Sequence, residues 1–289
     1  RKWQEAHYAR SARQPRKVSR MEPAGKTILI TGSTDGVGRM AAERLGAAGA
    51  TVLVHGRDRR RGEAVVEAIR RRGGAARFYR ADLASLSQVR DLAAAVLRDH
   101  QRLHGLINNA GIGSGGPHGA REESADGFER RFAVNYLAGF LLTRLLLPTL
   151  VASTPASIVN VSSLGQQAID FDDLMLTRGY SSSRAYGQSK LAQVMFTIDL
   201  AEELEGSGVT ANSVHPATYM DTTMVRQAGV APMSTVDEGC AAILNLVLSD
   251  EPGSGLFFNG LRPTRANAQA YDRGARERLR VSSTALTGA

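Results

Sequence analysis

The stretch TILITGSTDGVG, from Thr27 to Gly38, decides the fold. Its first five residues form an apolar, β-branched run that suits a buried strand, and a helical pattern follows from Gly36 to Ala48. Between them the glycines are spaced G-x-x-x-G-x-G, at Gly32, Gly36 and Gly38. Gly32 serves a tight turn, Gly36 lets backbone approach a diphosphate, and Gly38 lets the helix pack on the strand. The first turn of a helix also offers unbonded amides to phosphate. A glycine-rich turn alone is a weak signal. Between a strand and a helix it predicts a dinucleotide site made by Gly32, Ser33, Thr34, Asp35, Gly36, Val37 and Gly38.

Outward from this turn the chain keeps alternating. Strand patterns fall at 51–55, 76–80, up to about 108, 157–163, 209–215 and around 255–258. Helical patterns fall at 59–72, 87–99, 126–151, 183–205 and 236–248. Such alternation predicts one α/β domain over 21–289, a doubly wound parallel sheet of about seven strands with helices on both faces. Three longer excursions, 112–120, 164–185 and 217–233, are expected to wall a substrate pocket. The tail after Arg262 is polar with some helical pattern and receives no role.

At 289 residues and 43% apolar composition, a sizeable core is available. The net charge of +8 suggests a nucleic-acid partner until it is located. Residues 1–20 carry seven Lys or Arg against the single acid Glu5, so the body beyond is nearly balanced. The first 20 residues read as a disordered basic leader or expression remnant, with Met21 the functional start; they lack the apolar run of a secretory signal. No nucleic-acid partner is expected. The only cysteine, Cys240, falls in an apolar helical pattern and excludes a disulfide framework or a cysteine zinc site, so no metal is expected. The longest apolar run, Leu137 to Leu150, is short for a bilayer and broken by Arg144. These features predict a cytoplasmic protein with no membrane span.

In a doubly wound sheet, ligands bind beyond the carboxyl ends of the strands. After the second strand, an acid that would accept from a ribose 2′-hydroxyl is replaced by Gly56-Arg57. A guanidinium suits a 2′-phosphate, so Arg57 predicts NADP(H) in preference to NAD(H). Asp58 could partly neutralise the site or take the acid's role. After the third strand, Asp82 could accept from an adenine amino group with Leu83 against the ring, or cap the next helix; the two roles are compatible. After the fourth, Asn109, Ala110 and Gly111 let backbone approach the adenosine, and an Asn there can tie neighbouring strands. Asn135 lies in an apolar helical pattern, so it must find partners. It could bond a backbone carbonyl or hold a water that feeds protons to Lys190.

After the fifth strand, Ser162-Ser163 places a hydroxyl where a reacting carbonyl oxygen could be stabilised. Tyr186 and Lys190, in AYGQSK, share one helical face. A free tyrosine has a pKa of about 10. Bringing it down by ~3 units takes roughly 4 kcal/mol, which a neighbouring ammonium could supply. The pair is thus a candidate general acid/base.

Taken together, TGSTDGVG, Asp82, NNAG, Asn135, IVNVSS, Tyr186-x-x-x-Lys190 and His215-Pro216 resemble the short-chain dehydrogenase/reductase family, in its order, from about Lys26 to Met224. The resemblance implies a Rossmann fold and hydride transfer between NADP(H) and a carbonyl or alcohol carbon. It implies that Tyr186 is the proton donor/acceptor, that Lys190 lowers its pKa and holds the nicotinamide ribose, that Ser163 orients the substrate oxygen and that Asn135 completes a water-linked relay. Pro216 and Thr222 would contact the nicotinamide. It further implies a homo-oligomer through the helices carrying Asn135 and Tyr186, and a small, largely apolar carbonyl or alcohol substrate. The long Ser163–Tyr186 gap and the Gly56-Arg57 junction look most like a retinol-dehydrogenase-like or WW-domain-oxidoreductase-like branch. In HPATYMDTTM, Ala217 replaces a common glycine and Thr222 falls one place late, so Asp221 or Thr223 could compete with it. Two other readings are a non-redox member of the family (isomerase, dehydratase or cyclase) and a catalytically silent NADP(H) sensor.

Overall fold

The computed structural model describes residues 22–115, 119–249 and 253–289. The leader 1–20, and residues 116–118 of the first excursion with His118, lie outside the described residues. The strands are β1 (Thr27–Ile30), β2 (Thr51–Gly56), β3 (Ala75–Arg80), β4 (Gly105–Asn108), β5 (Ala156–Val161), β6 (Val209–His215), β7 (Phe257–Asn259) and β8 (Arg262–Thr264). They form one sheet in the order β3-β2-β1-β4-β5-β6-β7-β8. All pairings are parallel except β7 with β8. The strand order reverses direction between β1 and β4, which opens the crevice where ligands bind in such sheets.

The sheet has one strand more than expected. After β7 the chain reverses through Gly260, at φ 57°, and adds β8 at the edge. Pro263 within β8 suits an edge, where a missing amide costs no ladder bond.

The helices are α1 (Gly36–Ala47), α2 (Arg59–Arg71), α3 (Leu86–Asp99), α4 (Arg130–Val151), α5 (Ser182–Glu203), α6 (Thr223–Gln227), α7 (Val236–Leu248) and α8 (Arg273–Thr287). Side-chain caps start α1 to α3 at Asp35, Asp58 and Ser85, and α5 to α8 at Ser181, Thr222, Thr235 and Asp272. One apolar cluster packs α1, α2 and α7 on one face of the sheet; another packs α3, α4, α5 and α8 on the other. Cys240 is buried in the first, as expected.

Two features of α4 depart from expectation. It begins at Arg130, where Glu129 accepts from the Phe132 amide at 2.7 Å and caps the first turn. It also contains a wider π turn over Ala133–Leu137, the turn that carries Asn135. The apolar run 137–150 is therefore part of one continuous 22-residue helix, Arg130–Val151, long and apolar enough by length and composition to cross a bilayer. Here 56% of its most apolar window is buried in the fold.

Candidate active site

At the end of β1, contact distances leave no room for side chains. Gly32 has φ 64°, and a Cβ on it would stand 2.8 Å from Ala110 Cα. A Cβ on Gly38 would meet Asn109 Nδ2 at 2.4 Å and Gly32 O at 2.5 Å. That space is taken because Asn109 Nδ2 donates to Thr31 O (2.9 Å) and Gly32 O (3.1 Å). The Thr31 hydroxyl accepts from the amides of Asn109 and Ala110, each at 3.0 Å. Thus β4 is tied to the glycine turn by an asparagine, as its sequence position suggested. Ser33 works inward: its hydroxyl donates to Ile30 O (2.8 Å) and accepts from the His55 amide (3.0 Å). Thr34 packs over Gly56, whose absent Cβ would lie 2.5 Å from Thr34 Cγ2. Val37 is buried in the core. Asp35 caps α1, accepting from the Gly36 amide at 2.8 Å.

His55 carries a role the sequence reading missed. Its Nδ1 accepts from the Gly32 amide at 3.1 Å, fixing the turn from the side of β2. Burial pushes this imidazole down to about 4, so it stays neutral and keeps that bond across the physiological range. Its place one residue before Gly56 was the available signal.

The 2′ side is more open. Arg57 is largely exposed, with Nη1 3.9 Å from Asp82 Oδ2, and its carbonyl accepts from Arg80 Nε at 3.1 Å. Asp58 caps α2 by accepting from the Arg61 amide at 3.0 Å. Asp82 does not cap α3, which Ser85 does; it closes the preceding turn by accepting from the Ala84 amide at 3.0 Å. Leu83 is buried beside it.

At the ends of β4 and β5 the candidate catalytic residues come together. Asn135 lies in the π turn and grips Ile112 twice: Oδ1 accepts from its amide (2.8 Å) and Nδ2 donates to its carbonyl (3.1 Å). Nδ2 also donates to Ser189 Oγ at 3.0 Å. A Cβ on Gly111 would lie 3.3 Å from Asn135 Oδ1 and 3.5 Å from Lys190 Nζ, so both groups border one small space. Lys190 Nζ donates to Val161 O (2.9 Å) and Gln193 Oε1 (3.0 Å), with no carboxylate partner among the described residues. Gln193, three positions along the same helix face, was not anticipated. Ser162 is structural, donating to Lys190 O at 2.7 Å and fastening α5 to β5.

Electrostatics here differ from the simple expectation that the ammonium holds the phenol low. Lys190 Nζ sits 5.7 Å from the centroid of the Tyr186 ring. Burial is the largest influence on Tyr186 and raises its pKa; a hydrogen bond with Ser163 lowers it, and Tyr219 raises it. Burial pushes Lys190 down to about 7. The resting arrangement is a neutral phenol on a serine hydroxyl, beside an amine that gives up its proton easily.

Thr222, Thr223 and Asp221, the three candidates at this position, have different partners within the chain. Thr222 caps α6, and its Cγ2 lies 3.2 Å from where a Gly36 Cβ would be. Thr223 Oγ1 donates to Asp35 Oδ2 at 2.8 Å. Asp221 is engaged twice by Arg226, at 2.7 and 2.9 Å. The segment after the buried Pro216 therefore folds back onto the glycine turn. Tyr219 within it holds a left-handed φ of 45°, a strained state for a tyrosine. Leu164, Tyr219, Met224 and Met233 are exposed in the excursions.

The tail gains a role. Gln269 holds Ile169 at both its amide (2.6 Å) and carbonyl (3.1 Å), and Gln166 Oε1 accepts from the Asn267 amide (2.9 Å). The tail thereby braces the 164–181 excursion. The Tyr136 and Ser283 hydroxyls are 2.7 Å apart, and the buried Arg276 donates to Asp199 (2.6 Å) and Glu202 (2.9 Å) of α5. The helices expected to join subunits thus meet the chain's own α8 along this face. A cavity of about 490 Å³ at the α4, α5 and α8 junction is lined by none of the candidate site residues.

The model of the short chain dehydrogenase family matches residues 26–231. The chain belongs to the short-chain dehydrogenase/reductase family. Human retinol dehydrogenase 13 is 38% identical over 288 residues, covering 91% of this chain and 85% of that protein. A solved structure of a protein from Mycobacterium paratuberculosis superposes with TM-score 0.78 at 32% identity, covering 93% of this chain and 96% of that one. Landomycin C-6 ketoreductase LanV, solved with bound NADP and rabelomycin, has TM-score 0.66 and 29% identity, covering 83% of this chain and 96% of that one.

This short-chain dehydrogenase falls on the retinol-dehydrogenase-like side of the family and is an oxidoreductase acting on alcohol and carbonyl groups. Two expectations are corrected. The cytoplasmic location and the lack of a membrane span rested on an apolar run judged too short. The 22-residue apolar helix and the retinol dehydrogenase relatives do not favour that assignment, and it is withdrawn.

Proposed function

We propose that this short-chain dehydrogenase interconverts a carbonyl and an alcohol with NADP(H) in preference to NAD(H), using Tyr186 as proton donor and acceptor. The observation that carries the reading is Tyr186 hydrogen-bonded to Ser163, with the buried Lys190 Nζ 5.7 Å from its ring centroid and no carboxylate on that lysine among the described residues.

The residues present fit a dinucleotide. Gly32 and Gly38 are packed so closely that the turn presents backbone, and α1 begins there, a helix start that favours an anion. Gly36, Asn109, Ala110 and Gly111 continue that wall, and Asp82 and Leu83 border the adenine end. Arg57 is the cation placed for a 2′-phosphate; its link to Asp82 is long and solvent-exposed, so it is weak and easily exchanged. Lys190 would hold the nicotinamide ribose, and Pro216 and Thr222 would border the nicotinamide. The bound cofactor supplies or accepts the hydride.

The chain's own residues handle the proton. Burial keeps Tyr186 protonated, which suits donation to a forming alkoxide, while Ser163 orients the same oxygen and stabilises its charge. In oxidation the phenol must first lose its proton, so that direction gains from alkaline pH. Asn135 holds the loop at Ile112 and borders the space beside Lys190, where a water-linked relay would run.

The test follows NADPH absorbance with a panel of ketones and aldehydes. Tyr186→Phe is expected to cut turnover by roughly 10²–10⁴-fold, the usual worth of general acid catalysis, with NADPH binding retained. NADPH that binds tightly without any turnover in the native protein would favour a non-redox relative or a silent sensor. Arg57→Ala is expected to weaken NADPH by roughly 10–100-fold, the worth of a charge-assisted contact, and to leave NADH nearly unchanged. Equal losses would remove Arg57 from the cofactor preference.

A further inference from the structure

Arg131 stands one turn before Asn135 and is buried, yet the active-site chemistry does not use it. Each nitrogen of its guanidinium donates one bond, to backbone or side chain of two separate excursions. Nε donates to Gly113 O at 3.0 Å and Nη2 to Ser114 O at 2.8 Å, both in the loop after β4. Nη1 donates to the Tyr180 hydroxyl at 2.6 Å, at the far end of the excursion between Ser163 and Tyr186. The Tyr180 hydroxyl itself donates to Glu129 Oε1 at 3.0 Å. Glu129 is in turn fixed by capping the helix, and its carboxylate lies 3.6 Å from Arg131 Nη1. Side-chain exposure is 8% for Arg131 and 1% for Glu129, so the pair is shielded from water.

The direction of these bonds matters. An arginine can only donate and a carboxylate can only accept, so the tyrosine hydroxyl between them must accept from one and donate to the other. Burial and Glu129 raise Tyr180 to about 12, which keeps that proton in place. Asn135 grips Ile112 while Arg131, on the same face of α4, grips the next two residues. One helix face thus holds a continuous run of the first wall, and through Tyr180 it holds the second. A planar fork holds three acceptors in two loops at fixed, separated positions, a geometry the compact ammonium of a lysine does not reproduce.

We propose that Arg131 is a positioning residue that clamps the 112–115 loop to the 164–181 excursion through Tyr180 and Glu129, fixing the width of the substrate pocket. The inference rests on the carbonyl-reducing reading for its kinetic consequence, but not for its structural one.

The experiment uses the full chain in three forms: native, Tyr180→Phe and Arg131→Lys. Tyr180→Phe removes one hydroxyl and keeps the ring, so it preserves packing if Arg131→Lys fails to fold. Hydrogen exchange is read for the amides of 112–115, 174–181 and 32–38. With the clamp open, the first two groups are expected to exchange faster together, by roughly 10–100-fold, the equivalent of one hydrogen bond to a charged group, with 32–38 unchanged. Steady-state kinetics of Tyr180→Phe are expected to show KM for the best ketone or aldehyde of the panel raised by a similar factor. kcat and NADPH affinity should stay within about twofold, since losing uniform binding raises KM alone. Faster exchange in only one wall, or in neither, overturns the clamp. So does an unchanged KM in a native enzyme that turns over. A native chain that oxidises no NADPH with any carbonyl sinks the functional reading, and the exchange result alone then decides the clamp.

Discussion

Around Gly32–Gly38 the turn is held by backbone and small groups: one threonine hydroxyl, one asparagine amide and one imidazole, all at fixed short range. Around the substrate excursions the opposite holds. Residues 112–115 and 164–181 are fastened by long polar side chains, Arg131, Gln188 and Gln269, reaching from elsewhere in the chain, and Gln166 reaches out from the excursion to the Asn267 amide. The first region presents a fixed ligand fragment with backbone, and any added atom is a clash. Tight packing conserves one shape, whereas side-chain struts let the shape change by changing the struts.

The comparison can be broken most directly at Gly38. Gly38→Ala places a methyl 2.4 Å from Asn109 Nδ2 and 2.5 Å from a backbone carbonyl. Overpacking of this kind costs about 2–3 kcal/mol. Both melting temperature and NADPH affinity should fall; a variant that binds NADPH normally would show that the turn is less rigid than its contacts imply.

A second probe lies between the two regions, at Lys190. Its folded pKa of about 7 lies below the 10.5 of an unfolded lysine, so between those values the unfolded chain holds the extra proton. Stability of the cofactor-free protein should therefore rise with pH above 7, by roughly 2 kcal/mol by pH 9. Denaturant unfolding at several pH values checks this, and Lys190→Met should flatten the rise. An unchanged slope in that variant would assign the pH dependence to another group.

The mildest probe is on the braced side. Tyr136→Phe removes the bond to Ser283 between α4 and α8 and should cost about 1 kcal/mol. NADPH affinity should be untouched. A loss of cofactor binding would mean that the two regions are coupled more strongly than their separate fastenings suggest.

The same contrast explains what could be read from the sequence. The glycine turn, the strand ends and Tyr186 with Lys190 are local patterns whose spacing carries their geometry, and the helix over 236–248 was read to the residue. Asp82 was legible as a strand-end acid, but not as the cap of its own turn, because Ser85 competes for the helix start. Arg131, Glu129 and Tyr180 were not legible: 49 positions separate Arg131 from Tyr180, and neither falls in a local pattern. The tail was unreadable for the same reason, since its partners lie about a hundred positions upstream. The helix at α4 was legible, read at 126–151, but its capacity to cross a bilayer was not, because only the apolar run 137–150 was measured against a membrane.

The bracing by residues 266–287 has a practical side. Anyone trimming the gene to the segment that the family model recognises, 26–231, would keep every motif quoted above. Such a clone would lose α7, β7 and the struts on Ile169 and Gln166. Its product would carry a full set of signature residues and no back to its pocket, so catalogue boundaries are a poor guide for cutting this molecule.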